Sequence, residues 1–126
     1  MVVTQWRSRR KESGALYKSF KKKRVAQIGR EAAMTKVEDK PRTRTIRTRA
    51  GGKKKVLLAT NIANLLDKKT NKFEQVKILS VVDSPSNRNF VRRSIMTKGT
   101  VVETEKGKAK ITSKPGQDGT INAVLI

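Results

Sequence analysis

Four clusters of cations are the residues in this chain whose type and spacing suit a definite chemistry. Arg7, Arg9, Arg10 and Lys11 form the first. Lys18 with Lys21, Lys22, Lys23 and Arg24 forms the second, with Arg30 a short way beyond. Arg42, Arg44, Arg47, Arg49, Lys53, Lys54 and Lys55 form the third, and Arg88, Arg92, Arg93 and Lys98 a smaller fourth, joined downstream by Lys114. A guanidinium is a planar fork that grips a phosphate through two hydrogen bonds, whereas an ammonium is a mobile point charge. Mixed clusters of this kind suit a long, irregular phosphate backbone better than one small ligand. A charge run is ordinarily a solvated face, and isolated Lys68, Lys69 and Lys106 fit that plainer reading. Lys21 to Arg24 also has the look of a nuclear-import signal, a pattern of low specificity.

The scale of the excess argues against mere solvation. The chain's 126 residues hold 31 Lys or Arg against 10 Asp or Glu, a formal charge of +21. A heat-adapted surface is also rich in Lys and Arg but balances them with Glu. An imbalance this large repels itself unless a polyanion neutralises it. Nucleic acid is the first candidate, and an anionic membrane surface the second.

Catalysis has little to work with. There is no Cys and no His, which excludes zinc-finger modules, disulfide scaffolds, thiol nucleophiles and imidazole acid–base chemistry. The acids are scattered, apart from Glu38-Asp39 and the pair Glu103 and Glu105. Those two share one face of an expected strand, as a carboxylate dyad would. The adjacent Lys106, Lys108 and Lys110 point instead to an ion-pair ladder across a hairpin. Gly51-Gly52-Lys53 lacks the spacing of a phosphate-binding loop and reads as a turn. Neither a cofactor nor a small-molecule substrate is expected. Only Trp6, Tyr17, Phe20, Phe73 and Phe90 are aromatic, too few for a platform that stacks several bases. No apolar run is long enough to span a membrane, and the start lacks the apolar block of a secretory leader, so a soluble, mature chain is expected.

The elements that must carry these cations divide unevenly. Residues 1–55 hold 19 Lys or Arg and 4 acids, and residues 56–126 hold 12 and 6. Residues 1–42 are read as a basic extension with scattered apolar residues, expected to be disordered alone and ordered on its partner. Leu16, Phe20 and Ile28 fall roughly at helical spacing, with Gly29 a plausible stop, so one short helix there is possible. Residues 43–126 are read as the folded body. Thr43 to Arg49 is rich in β-branched residues and ends at the turn signal Ala50-Gly51-Gly52. Lys55 to Leu66 is strand or buried segment, and the turn that follows contains Asn71, which tolerates a positive φ. Phe73 to Val82 reads as a strand, broken by Asp83 to Asn87, and Val91 to Met96 as a further short one. Residues 100–105 and 108–113 flank Lys106-Gly107 as a tight hairpin. Lys114 to Gly119 is a turn, and Thr120 to Ile126 an apolar strand that must be buried in a sheet. The expected fold is mainly β: a small closed or partly open barrel of about six short strands behind a long basic N-terminal extension.

The order of these features resembles the small-ribosomal-subunit protein family called S-eight-e, shared by archaea and eukaryotes. Its N-terminal signature is similar to Arg10-Lys11-Glu12-Ser13-Gly14-Ala15, then Lys21 to Arg24, then Ile28-Gly29-Arg30. Further blocks are similar to Ile78 to Val82, Asn89-Phe90-Val91-Arg92-Arg93, Ile95 to Gly99, and Thr112-Ser113-Lys114-Pro115-Gly116-Gln117-Asp118-Gly119. Ser13 stands where Thr is usual, Gln27 where an acid is common, and Asn71 where Gly is frequent; none of these removes a cation. The resemblance implies a β-barrel body with a basic extension, bound to small-subunit ribosomal RNA beside neighbouring ribosomal proteins, in the cytoplasm and without enzymatic activity. The compact length is similar to that of the archaeal members. Two other readings are a ribosome-assembly factor, whose relatives are longer, and a chromatin-type DNA binder.

Overall fold

The computed structural model describes residues 7–18, 24–25, 28–68 and 70–126, together with the backbone of Val3 and Thr4. It divides into two compact units, Met1–Ala32 and Ala33–Ile126.

In the first unit, strand β1 (Val3–Thr4) pairs antiparallel with β2 (Ile28–Gly29). Between them the chain reverses tightly. Gly14, at φ +80°, lets Lys11 N–H donate to the Ala15 carbonyl and Tyr17 N–H to the Arg9 carbonyl, with Arg10 bridged to Leu16. The helix expected across Leu16 to Ile28 is therefore absent at both of its ends, and Gly29 is a strand residue and not a stop. At those ends the backbone groups take partners across the chain instead of four residues along it. Phe20 lies outside the described residues.

The second unit is built on β. Strands β3 (Arg42–Arg47) and β4 (Lys53–Ala59) form a two-stranded ribbon joined by a 3-10 turn at Arg49–Gly51. Strands β5 (Ile62–Asp67), β6 (Lys72–Asp83), β7 (Val101–Thr104), β8 (Gly107–Ile111) and β9 (Asn122–Leu125) close into a barrel in that order. All neighbours are antiparallel except β5 and β9, whose parallel pairing from Asn64↔Asn122 to Leu66↔Val124 completes the ring. Two short helices, α1 (Asn89–Arg92) and α2 (Pro115–Asp118), sit in the connections.

Alternation fills the barrel. Ala63 and Leu65, Val76 and Ile78, Val102, Ala109 and Ile111, and Ala123 point inward and are buried, with Leu57, Met96 and Ile121 closing the cluster. Strand β6 serves two neighbours, β5 through residues 62–67 and then β7. A register shift after Ile78 moves the inward position from Ser80 to Val81, so the second half stays in phase with the core.

The apolar stretch from Lys55 to Leu66 is two strands, β4 and β5, separated at Thr60-Asn61. Asn71 takes φ +52°, as its residue type suggests. Val91 to Met96, expected as a strand, is not one. Asn87 Oδ1 accepts from Asn89 N–H at 2.9 Å, its carbonyl accepts from Phe90 N–H, and Ser94 sits at φ +50°, so local turn chemistry prevails and α1 forms. The hairpin loop is Glu105-Lys106, one residue earlier than expected, because Gly107 at φ +123° already pairs with Thr104. The cross-hairpin ladder does not form either: Lys106 pairs with Glu74 of β6, and Glu103 accepts from Ser80. Val124 and Leu125 belong to the sheet, but Ile126 is 72% exposed, so burial of the terminus stops one residue short.

Residues 33–42, read from sequence as extension, belong to the barrel unit. Thr35 is buried and donates through Oγ1 to the Leu57 carbonyl at 2.7 Å. Lys36 bridges Ala59 on one side and Ile95 on the other. At the far side of β4, Gly119 ends α2 at φ +71°, and a Cβ there would lie 3.1 Å from Lys55 Cβ and 3.2 Å from its carbonyl oxygen. Both the dihedral and the close approach require glycine.

Two substitutions test this packing in thermal melts of the free protein. Ile111→Ala removes a side chain that is 1% exposed and is expected to cost about 2–5 kcal/mol. Gly119→Ala is expected to cost about 1–3 kcal/mol through backbone strain and contact with β4. A melt unchanged by either would contradict the barrel described above.

Candidate nucleic-acid interface

Two cations of the first cluster lie against one aromatic ring. The Arg7 guanidinium lies 4.0 Å from the Tyr17 ring centroid and Lys11 Nζ 5.5 Å from it. Arg10 donates through Nη1 to the Gly14 carbonyl at 2.9 Å, and Arg9 stands beside it on the same turn. The tight reversal at Gly14 thus converts a linear run of cations into a compact group. Arg7, Arg9, Arg10, Lys11 and Lys18 are all exposed, as are Arg24 and Arg30 further along the unit. Lys21, Lys22 and Lys23 lie outside the described residues. Tyr17 was not singled out from sequence; the signal available was the chain's one tyrosine placed within reach of the Arg–Lys run.

The third cluster forms the β3–β4 ribbon. Pairing sets Arg47 opposite Lys53, Ile46 opposite Lys54, Thr45 opposite Lys55 and Arg44 opposite Val56. Opposed residues share a face, so Arg47, Lys53 and Lys55 lie on one side and Arg44 and Lys54 on the other. Arg49 stands at the turn, where Thr48 N–H donates to the Gly52 carbonyl at 2.7 Å. All seven cations of this cluster are exposed. Glu38 holds Arg42 at 2.7 Å, and the neutral amide of Gln117 accepts from Lys54 Nζ at 3.1 Å. Like charges directly across a ladder weaken it, so the ribbon is held by its anchored end, where Val56 and Leu57 are buried and the α2 loop packs on β4.

The fourth cluster flanks α1. Arg88 and Arg92 are one helical turn apart and therefore lie on one side, with Arg93 ending the helix and Lys98 on the loop beyond; all four are exposed. Lys114 is exposed at the start of the α2 turn, its N–H held by Asp118 Oδ2 at 2.8 Å. Within each unit the chain therefore gathers these cations into separate groups: the Tyr17 turn in one, and the ribbon and the α1 flank in the other. Each presents forked and point-like donors at several spacings, an arrangement chemically suited to phosphates along a backbone.

Little else in the described residues could carry chemistry. No three of their Asp and Glu side chains converge as metal ligands would. None of their helices is long and apolar enough to cross a membrane.

The family model described as Ribosomal protein S8e matches residues 4–126. The chain belongs to the S8e family. It is 47% identical over 126 residues to the small ribosomal subunit protein eS8 of Methanococcus aeolicus, covering all of this chain and 98% of that one. It is 46% identical to the eS8 protein of Methanobrevibacter smithii, each chain covered in full, and 42% identical to that of Methanococcus maripaludis. Membership of the S8e family spans both the cationic turn at residues 7–17 and the barrel, so the blocks that carried the resemblance serve different ends here. Arg10 to Ala15 forms a turn that gathers cations, while Lys114 to Gly119 forms a turn that braces β4.

The separation predicts a clean experimental contrast. Arg44→Ala and Lys53→Ala remove exposed side chains from the ribbon and are expected to shift free-protein stability by no more than about 0.5 kcal/mol. Both are expected to weaken binding to a structured RNA. Filter binding and thermal melts on the same variants check this, and a large loss of stability would show that these cations brace the fold.

Proposed function

We propose that this chain is a structural constituent of the small ribosomal subunit that binds ribosomal RNA through the cationic clusters on its N-terminal extension and barrel surface. It acts in the cytoplasm, beside neighbouring ribosomal proteins, with no cofactor and no catalytic step. The observation that carries the reading is membership of the S8e family together with exposed cations on every group described above. The residues before Ala33 would thread between RNA helices. The ribbon, the α1 flank and Lys114 would rest on their sugar–phosphate surface.

The expected recognition is by shape and charge. The deep groove of an A-form helix is too narrow for side chains to read, which leaves phosphates, 2′-hydroxyls and irregular backbone as the available contacts. Arg supplies two-bond grips where the RNA backbone is fixed, and Lys tolerates the spread of positions along it.

Counterion release supplies the test. Each neutralised phosphate contributes a little under one unit to the slope of log affinity against log salt. Engagement of about ten phosphates gives a slope near −7 to −9. Titrating the full chain onto the small-subunit ribosomal RNA of an S8e-containing archaeon, between low and physiological salt, measures it. A slope near zero, or equal affinity for duplex DNA of the same length, would overturn the reading.

A further inference from the structure

One face of the barrel departs from the cationic theme. On its outer side, register aligns Phe73 of β6 with Leu66 of β5, Leu66 with Val124 of β9, and Val124 with Lys110 of β8. The neighbouring row aligns Gln75, Asn64 and Asn122. These rows line a shallow groove of about 570 Å3 in which Phe73 is 73% exposed. Asn64 Nδ2 donates to Asn122 Oδ1 at 3.0 Å, which leaves the Asn64 carbonyl oxygen and the Asn122 amino group side by side as an acceptor and a donor. Gln75 adds a further amide. Glu74, the one acid lining the groove among the described residues, is paired with Lys106.

We propose that this groove binds one unstacked nucleotide, its base lying on the Phe73 ring and its edge meeting the amides of Asn64, Asn122 and Gln75. An aromatic face receives any base, and adjacent amide donors and acceptors match the edge that an unpaired base exposes. Lys77 and Lys110 flank the groove on the same outer face, both exposed, and neither makes an ion pair among the described residues. Lys77 lies four residues along β6 from Phe73, roughly 13 Å at strand rise, so its side chain reaches the phosphate of a nucleotide seated on the ring. These flanking cations favour a nucleotide over an equally basic protein neighbour. An added peptide strand has no edge to pair with, because the barrel is closed at this point by the β5–β9 ladder. A single ring does not make a platform for several bases; it accommodates one.

The proposal rests on RNA binding and is tested so that the two fail separately. The isotope-labelled full chain is titrated with a single-stranded hexaribonucleotide and with a blunt-ended RNA duplex, both at physiological salt. The hexamer is expected to shift the Phe73 ring and the side-chain amides of Asn64, Gln75 and Asn122, and the duplex to leave them unmoved. Phe73→Leu keeps an exposed apolar residue at the position. It is expected to lower hexamer affinity roughly 5- to 100-fold while leaving duplex affinity unchanged. A groove that stays silent while the cationic clusters respond would overturn this inference and leave RNA binding standing. Loss of all response would overturn both. A photo-reactive phenylalanine analogue at position 73 in the assembled subunit gives the last arm. Crosslinks to RNA support the nucleotide, and crosslinks to protein alone would overturn it.

Discussion

Closure of the barrel rests on a short stretch of parallel pairing between β5 and β9. Every other ladder joins strands that are neighbours in the chain, whereas this one ties Asn64–Leu66 to Asn122–Val124 across most of the body's length. It is the ladder that turns the row of antiparallel strands into a closed ring. Parallel pairs are somewhat weaker per residue than antiparallel ones. The ring is held shut by what lies beneath it: Leu65 and Ala123, directly paired and both buried, join Ile111 and Val102 in one cluster. Had the ring stayed open, β5 and β9 would each present a row of unpaired donors and acceptors.

That small core must hold a chain that repels itself. The fold confines the conflict by placing its densest charge away from the barrel wall. Residues 42–55 carry seven cations on a ribbon whose base alone is buried. Arg47 opposite Lys53 is an arrangement that a protein built for stability in isolation would avoid. It becomes favourable once phosphates lie along the ribbon, because each neutralised cation removes repulsion as well as gaining a contact. The first unit does the same on a smaller scale. Tyr17 gives Arg7 and Lys11 a π-face that offsets part of the cost of holding them close, without an acid that would compete with phosphate.

The barrel was legible because its strands alternate and its turns carry Asn, Gly and Pro at positions that need them. Asn71 and the hairpin before β8 are visible at once in the residues. The failures share a cause. Val91 to Met96 has the composition of a strand, but Asn87 and Ser94 bend the backbone locally, and a side chain hydrogen-bonding to its own loop leaves no periodic trace. Residues 35–37 looked like extension because their anchoring uses backbone groups and one threonine hydroxyl, none of which stands out in composition. The cation clusters were legible as chemistry but not as geometry. No spacing rule announces that Gly14 folds Arg7 and Lys11 about Tyr17, or that β3 and β4 set arginine against lysine.

The division of labour among the matched blocks follows from what each must withstand. A turn that braces the fold meets the same neighbours in every state, so its requirements are steric: Gly119 has no alternative where an added Cβ would lie 3.1 Å from Lys55 of β4. A turn that gathers charge would, on the proposed function, meet a partner whose phosphates are irregularly placed; its requirements are then of sign and reach, and several arrangements of Arg and Lys satisfy them. Of the three departures from the family pattern, Ser13 falls in a cation-gathering turn and Asn71 at a loop where its side chain still permits the positive φ; neither touches the braced turn at 114–119. Tolerance at the binding surface and strictness beneath it are two consequences of one constraint, that a minimal barrel must present far more positive charge than its core can balance alone.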